Sequence, residues 1–234
     1  MAYTEYKPHP ALRPYIEAYW TVNPDPQNAE LSRRILPDGC ADLIFTAEEH
    51  SFLVGTMTVY KDTQIHPGVA LTGIRFRAGG MNVFYPQLQY ELTDLTVPYK
   101  DDKLAMLIWF SKDLPATIDD YYLKKIPFRP TEIAAITSDI RTAKGNINVG
   151  ELLNKYHMSE RKLERLFKKE VGITVKGYSK IIRFVHTLEL LQDAHRSKSM
   201  VQIAIEAGYY DQAHLCNEIK KYAGSTPAML TSHK

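Results

Sequence analysis

The chain lacks any apolar run approaching the roughly 18 residues that a membrane-spanning helix needs. Its first residues, Met1 to Lys7, also lack the apolar stretch of a secretory leader. Both absences point to the cytoplasm. Cysteine is scarce, with only Cys40 and Cys216 present, so neither a disulfide framework nor a paired zinc site is available and both are expected as reduced thiols. His9, His50 and His66 have no ligand-like spacing, which leaves no metal site to name. The chain has no G-x-G-x-x-G, P-loop, nucleophile elbow or H-E-x-x-H. The sequence therefore offers no catalytic residue and no cofactor, and an enzyme is not the expectation.

What is present divides unevenly. A length of 234 residues exceeds the usual single domain of roughly 100 to 150. The small net charge of +2 hides an asymmetry: residues 1–130 carry 13 Lys+Arg against 16 Asp+Glu, and residues 131–234 carry 16 against 11. Aromatics lean the other way, with ten of fifteen Tyr, six of eight Phe and both Trp before Pro130. Two domains with different tasks are expected, 1–130 and 131–234, joined at Pro127-Phe128-Arg129-Pro130. The expected fold class is α+β: a mixed sheet-and-helix N-terminal domain, then an all-helical domain.

In the first half, Leu12, Tyr15, Ile16 and Tyr19 recur at helical spacing and predict a short helix within residues 8–20, packed on a sheet. Short apolar or alternating runs at 41–45, 52–54, 57–60 and 70–76 predict strands of a small mixed sheet. They are punctuated by Pro37-Asp38-Gly39, Gly55 and Pro67-Gly68. Residues 104–110, followed by Tyr121 and Tyr122, read as helical. From Thr131 onward the pattern is helix after helix, at 133–143, 149–156, 160–170, 176–192, 201–207 and 212–222. The fourth of these has a strong apolar stripe of Tyr178, Ile181, Ile182, Val185, Leu188 and Leu191.

An internal repeat is the sharpest signal. A shift of 52 residues aligns Ser159 with Asp211, Leu163 with Leu215, Phe167 with Ile219, and Lys168-Lys169 with Lys220-Lys221. It also aligns Gly172 with Gly224 and Thr174 with Thr226. Each copy reads as a short apolar helix, a tight turn, an N-cap (Ser159 or Asp211), a second helix and a terminating glycine. In the first copy Leu163, Leu166 and Phe167 share the inner face, while Arg161, Arg165 and Lys168 lie opposite, with Glu164 and Lys162 at the margins. In the second copy Leu215, Ile219 and Tyr222 face inward. Ala213, Asn217 and Lys220 lie outermost, flanked by His214 and Lys221.

A helix of this design fits a major groove, where arginine pairs bidentately with guanine, asparagine with adenine and lysine with phosphate. A lone helix of this composition is more often a solvated surface. Two capped copies joined by one long helix are much harder to produce by accident. As a continuous helix, 176–192 spans roughly 25 Å, which with its flanking turns sets the two second helices about one DNA turn apart.

Residues 147–230 resemble the DNA-binding domain of the AraC/XylS-type transcription regulators. The resemblance rests on Ser159-Glu160-Arg161-Lys162-Leu163-Glu164-Arg165-Leu166-Phe167-Lys168, Gly172 and the long middle helix. It continues through Ile203-Ala204-Ile205-Glu206-Ala207-Gly208-Tyr209-Tyr210-Asp211-Gln212-Ala213-His214-Leu215 and Gly224-Ser225-Thr226-Pro227. It implies a sequence-specific regulator that binds double-stranded DNA. Arg161, Glu164 and Arg165, with Gln212, Ala213, His214 and Asn217, would stand at base-contacting positions. Lys162, Lys168, Lys169, Lys220 and Lys221 are the phosphate candidates. Leu215, Asn217, Ile219, Leu230 and Thr231 depart from the family's usual residues, which puts the weight of base readout on the first unit.

Residues 37–45, and 73–80 (Gly73-Ile74-Arg75-Phe76-Arg77-Ala78-Gly79-Gly80), resemble the N-terminal region of a subset of the same regulators. In the wider family this half senses a small-molecule effector or holds a homodimer, and the residues alone do not choose between them. Arg75 and Arg77 share a strand face and suit either an anionic ligand or an interface. The rival function is a thiol-based methyl-acceptor or repair-type protein recruited to DNA, with Cys40 as its nucleophile. Against it, a lone cysteine is most often a small buried apolar residue.

Overall fold

The computed structural model describes residues 2–23, 31–46, 50–65, 68–86, 92–193 and 198–231. His66 and Pro67 lie outside the described residues. The N-terminal half opens with β1 (Ala2–Tyr6), a 3-10 turn at Pro10–Leu12 and β2 (Ile16–Asn23). Then come β3 (Leu31–Ile35), β4 (Ala41–Thr46), β5 (Ser51–Val54), β6 (Lys61–Ile65) and β7 (Leu71–Phe76). The short helix α1 (Gly80–Phe84), strand β8 (Thr96–Pro98), α2 (Asp102–Trp109) and α3 (Leu114–Leu123) complete it.

Six strands pair in the order β1-β2-β7-β4-β5-β8, and β3 pairs with β6 as a separate ribbon. Every one of these pairings is antiparallel, which corrects the expectation of a mixed sheet. The two faces of the large sheet follow the two-residue period of a strand. Tyr19, Leu43, Phe45, Leu53, Ile74 and Phe76 face a core closed by α1, α2 and α3. Trp20, Asp42, Ile44, Phe52, Leu71 and Arg75 face the other way and line a cavity of about 480 Å³, whose far wall is the β3–β6 ribbon.

The expected helix within 8–20 is only the 3-10 turn Pro10–Leu12, and from Ile16 the chain is a strand instead. Ile16, Ala18, Tyr19, Trp20 and Val22 are all buried, because the core covers one face of β2 while Trp20 and Val22 line the cavity on the other. A strand buried on both faces shows no alternation, and the aromatic and β-branched residues that favour it were the better signal. Residues 57–60 form no strand; the pairing starts at Lys61 and joins β3. Gly73 explains part of the glycine-rich segment. It lies opposite Trp20 in the ladder, and a Cβ there would sit 1.9 Å from the indole ring.

The C-terminal half is helical: α4 (Glu132–Thr142), α5 (Val149–Lys155), α6 (Glu160–Glu170), α7 (Val175–Asp193), α8 (Met200–Glu206), α9 (Gln212–Ala223) and α10 (Pro227–Thr231). Its core gathers Leu152, Leu163, Phe167, Tyr178, Phe184, Ile203, Leu215 and Ile219 around α7. The 19 residues of α7 span about 28 Å at 1.5 Å per residue.

Helix α4 joins the two cores. Ile133, Ile136 and Ile140 pack with the helical core, whereas Ala134 packs with the sheet core. On the same helix Thr137 Oγ1 donates to the carbonyl of Ile133. Arg141 Nη2 donates to Glu17 Oε2 at 2.9 Å, and Arg77 Nε lies 2.9 Å from that same oxygen. Gly39, in a left-handed turn, packs on Tyr178 and Ile182 of α7.

Candidate nucleic-acid interface

Each half of the repeat folds as a short helix, a turn and a capped longer helix. Helix α6 begins where Ser159 Oγ accepts the N–H of Lys162 at 3.3 Å, and α9 where Asp211 Oδ1 accepts the N–H of His214 at 2.7 Å. These bonds satisfy donors that the first turn of a helix otherwise leaves open. The preceding turns differ in a way the repeat did not reveal. The residue just past α5 in the left-handed region is His157 (φ 49°), whereas past α8 it is Gly208 (φ 80°). The second turn then holds one residue more before its cap, Tyr210, which is almost wholly exposed.

The outward residues stand as follows. On α6, Arg161, Lys162, Arg165, Lys168 and Lys169 are exposed and Glu164 is half-buried, while Leu163 and Phe167 are buried. Arg161, Arg165 and Lys168, at i, i+4 and i+7, form one stripe. Neither Arg161 nor Arg165 makes a hydrogen bond or ion pair with a described residue. The lysines are more engaged: Lys162 is 3.7 Å from Glu132, Lys169 is 3.3 Å from Glu170, and Lys168 Nζ donates to the Gly172 carbonyl at 3.0 Å. On α9, Gln212, Ala213, Asn217, Lys220 and Lys221 are exposed, and His214 is half-buried, edge-on to the Tyr209 ring at 5.2 Å. The second unit thus presents two amides and two lysines where the first presents two arginines and three lysines.

Sequence reasoning missed what holds the far ends of these two helices. Asn82 Nδ2 donates to the Glu170 carbonyl at 3.2 Å and to Glu170 Oε2 at 3.0 Å, at the C-terminus of α6. Arg34 Nη1 donates to the Ala223 carbonyl at 3.1 Å, at the C-terminus of α9. The Arg34 guanidinium lies 4.1 Å above the Tyr60 ring. Gly224, in the left-handed region, has no room for a Cβ because Tyr60 would stand 2.4 Å from it. Each exposed helix is therefore tied at its negative dipole end to a donor from the N-terminal half. Such contacts, between residues far apart in the chain, leave no local pattern.

The remaining candidates are placed as follows. Cys40 is buried, and burial pushes its thiol up, with the nearby Asp38 charge adding to the shift. That is the reverse of the low-pKa thiolate a methyl acceptor requires. His9 Nδ1 accepts the N–H of Ala11 at the 3-10 turn. Arg75 lies 3.4 Å from Asp38, 3.5 Å from Asp42 and 3.8 Å from Glu5, so carboxylates of the chain itself already surround it. Of the aromatics, Phe76, Phe84, Tyr85 and Tyr122 stack edge-on in the core, whereas Trp20 and Phe52 line the cavity. Among the described residues no helix is long and apolar enough to cross a membrane, and no group of three or more His, Cys, Asp or Glu is placed to hold a metal.

Two units of short helix, turn and capped helix, linked by one long helix, define a helix-turn-helix protein. Residues 152–232 match the family model described as "Helix-turn-helix domain", and the domain is of the AraC type. Residues 4–98 match a "Domain of unknown function (DUF6597)". The chain therefore carries an AraC-type DNA-binding domain behind a DUF6597 domain. Among curated proteins it is 25% identical over 159 residues to the HTH-type transcriptional activator RhaR of Enterobacter sp. (strain 638), covering 65% of this chain and 55% of that one. It is 27% identical over 128 residues to an uncharacterized response regulatory protein of Staphylococcus epidermidis, covering 55% and 46%. The chain spans about half the length of the curated relatives it matches. Among solved structures, ToxT from Vibrio cholerae O395 is similar at 10% identity, covering 94% of each chain, with a TM-score of 0.47. The C-terminal domain of AraT, a response regulator from Geobacillus stearothermophilus, is similar at 21% identity, covering 44% of this chain and 89% of that one, with a TM-score of 0.38.

Proposed function

We propose that the protein is a sequence-specific transcription regulator acting in the cytoplasm, with residues 131–234 as its DNA-binding domain and residues 1–130 as the domain that controls it. The observation that carries this reading is the pair of capped helices, α6 and α9, each presenting a polar outer face and each preceded by a short helix and a turn, with α7 linking the two units. Arg161 and Arg165 read bases from α6, with Glu164 beside them, and Gln212, Ala213, His214 and Asn217 do so from α9. Arginine is suited to guanine and asparagine to adenine. Lys162, Lys168, Lys169, Lys220 and Lys221, with the backbone amides at the capped helix starts, hold phosphates and set register. The weak surface pairs of Lys162 and Lys169 exchange readily for phosphate, since exposed ion pairs are worth ~0–1 kcal/mol.

The N-terminal half takes a small-molecule signal rather than serving only to dimerise. Its cavity of about 480 Å³ falls within the range of ligand pockets, roughly 300 to 1,000 Å³. Titrating labelled duplex DNA with the protein at several salt concentrations tests the DNA reading. Affinity should fall steeply with salt, and Lys162→Gln or Lys220→Gln should each flatten the logarithmic slope by about one. Binding that ignores salt, or no binding at any salt, contradicts the proposal.

A further inference from the structure

The cavity lies between a broad sheet and a ribbon of only two strands. A two-stranded ribbon is marginal by itself and takes its position from what it packs against. The alternation of β3 and β6 gives this ribbon two working faces. Arg33 and Ile35 on β3, with Lys61, Thr63 and Ile65 on β6, turn toward the cavity. Arg34 turns the other way, where Asp62, its ladder partner, holds the guanidinium with two hydrogen bonds of 2.7 and 2.8 Å. The same guanidinium reaches the end of α9 at Ala223. One residue along a strand separates the cavity wall from the clamp on the second DNA-facing helix.

The cavity also has a defined chemistry. Its sheet wall is apolar, with Trp20, Ile44, Phe52 and Leu71 among its lining residues. Within the lining Asp42 accepts the Trp20 indole N–H on Oδ1 at 2.7 Å, and Arg75 Nε lies 3.5 Å from the same oxygen. Arg75 is already shared by Glu5, Asp38 and Asp42, so it has little charge left for an anionic ligand. A cationic ligand is disfavoured: burial in an apolar wall penalises one, and Arg33 and Lys61 are part of the lining. Lys61 itself donates to Thr96 Oγ1. A neutral body that packs on the Trp20 and Phe52 rings, with one hydroxyl or N–H donor aimed at Asp42, complements this lining.

We propose that the cavity binds a neutral aromatic compound carrying a hydrogen-bond donor, held by Asp42 and Trp20, and that its occupancy fixes the β3–β6 ribbon so that Arg34 holds the C-terminal turn of α9. This deepens the effector reading given above and rests on it, but not on DNA binding. The coupling is reciprocal: what steadies the ribbon steadies α9, and the converse. Asp42 holds its carboxyl up at about 6 through burial, partly offset by Arg75, so a neutral donor meets either a carboxylate or an acid at little cost.

The test uses the whole 234-residue chain and no DNA. 2-Naphthol, 2-methoxynaphthalene and 2-naphthoate are titrated by calorimetry, and hydrogen exchange of residues 218–224 is followed with and without 2-naphthol. The proposal expects 2-naphthol to bind about tenfold tighter than the methoxy compound, the equivalent of ~1.4 kcal/mol. It also expects Asp42→Asn to erase that preference, and naphthoate to bind more weakly than either. It expects 2-naphthol to slow exchange at 218–224 at least threefold in the native protein. In Arg34→Ala, or in the milder Arg34→Gln, the compound should still bind without that slowing. Equal binding of the naphthol and methoxy compounds, preference for the naphthoate, or no binding of any overturns the ligand assignment. Slowing that persists in both Arg34 variants, or is absent from the native protein, overturns the coupling. None of these results bears on whether α6 and α9 read DNA.

Discussion

Replacing Glu17 by glutamine tests the seam between the two halves. Glu17 Oε2 receives Arg141 from α4 and lies against Arg77 beyond β7, both at 2.9 Å, and the three side chains are between 21% and 29% exposed. Hydrogen bonds to charged groups contribute ~1.5–3 kcal/mol each. Removing the anion of a fully buried pair costs more, ~3–5 kcal/mol, because the partner charge stays behind. Here partial exposure lets water reach both guanidiniums, and a glutamine oxygen keeps one acceptor, so the net loss is about 2 kcal/mol. In a chain of 200 to 250 residues that corresponds to a melting temperature lowered by roughly 4 to 8 °C. Scanning calorimetry of the native protein, Glu17→Gln, Arg141→Leu and the double variant gives the magnitude and the coupling. The double variant should recover at least about 1 kcal/mol relative to the sum of the singles, since the two groups share one contact. A loss below 1 °C, or strict additivity, refutes the claim that this triad binds α4 to the sheet.

Asp42 carries a pH signature. Its folded carboxyl titrates at about 6 rather than near 4, so the folded state keeps a proton that the unfolded chain has released. The group's contribution to stability is thus full below about pH 4 and lost as pH rises through 6. Urea midpoints should show the stability of Asp42→Asn rising relative to that of the native protein between pH 4 and 7; a relative stability that is flat or falls over this range contradicts the assignment. His157→Gly removes a left-handed non-glycine residue, whose backbone costs ~1–2 kcal/mol, against ~0.5–1 kcal/mol of added chain entropy. Thermal melts should place it level with or up to about 1.5 kcal/mol above the native protein, and a clear loss would show that the ring makes a contact that matters. Asp211→Ala removes the cap of α9 and should cost ~1 kcal/mol, seen in the same melts. Gly73→Ala forces Trp20 from its seat and should cost ~1–3 kcal/mol, with a shift in tryptophan emission; no change in either refutes the close packing.

The helical half was legible because its signals are local. Apolar stripes at 3.6-residue spacing, the caps Ser159 and Asp211 and the glycines 172 and 224 all act within one or two turns of the chain, and α6 lies at the expected 160–170. The sheet half was less so. Strand β2 is buried on both faces and loses its alternation, and β3 and β6, with sequences LSRRI and KDTQI, are too polar to announce themselves. Of the interface, the exposed faces of α6 and α9 were visible through the repeat. The roles of Asn82, Arg34 and Tyr60 were not, because each depends on a partner at least 87 residues away that only the folded chain supplies. The ring-rich composition of the first half proved to serve two purposes, core and cavity wall, which a count of aromatics cannot separate.

Selection from a random duplex DNA pool, run in parallel with the native protein, Arg161→Ala and Arg165→Ala and sequenced at several salt concentrations, tests the central claim most directly. The native protein should enrich a bipartite motif about one helical turn across. Each arginine change should relax the preference in one half of that motif at a cost of ~1–3 kcal/mol at the affected base pair, while leaving the other half intact. A motif unchanged by both substitutions would show that α6 does not read bases, and no enrichment at low salt would contradict the regulator assignment itself.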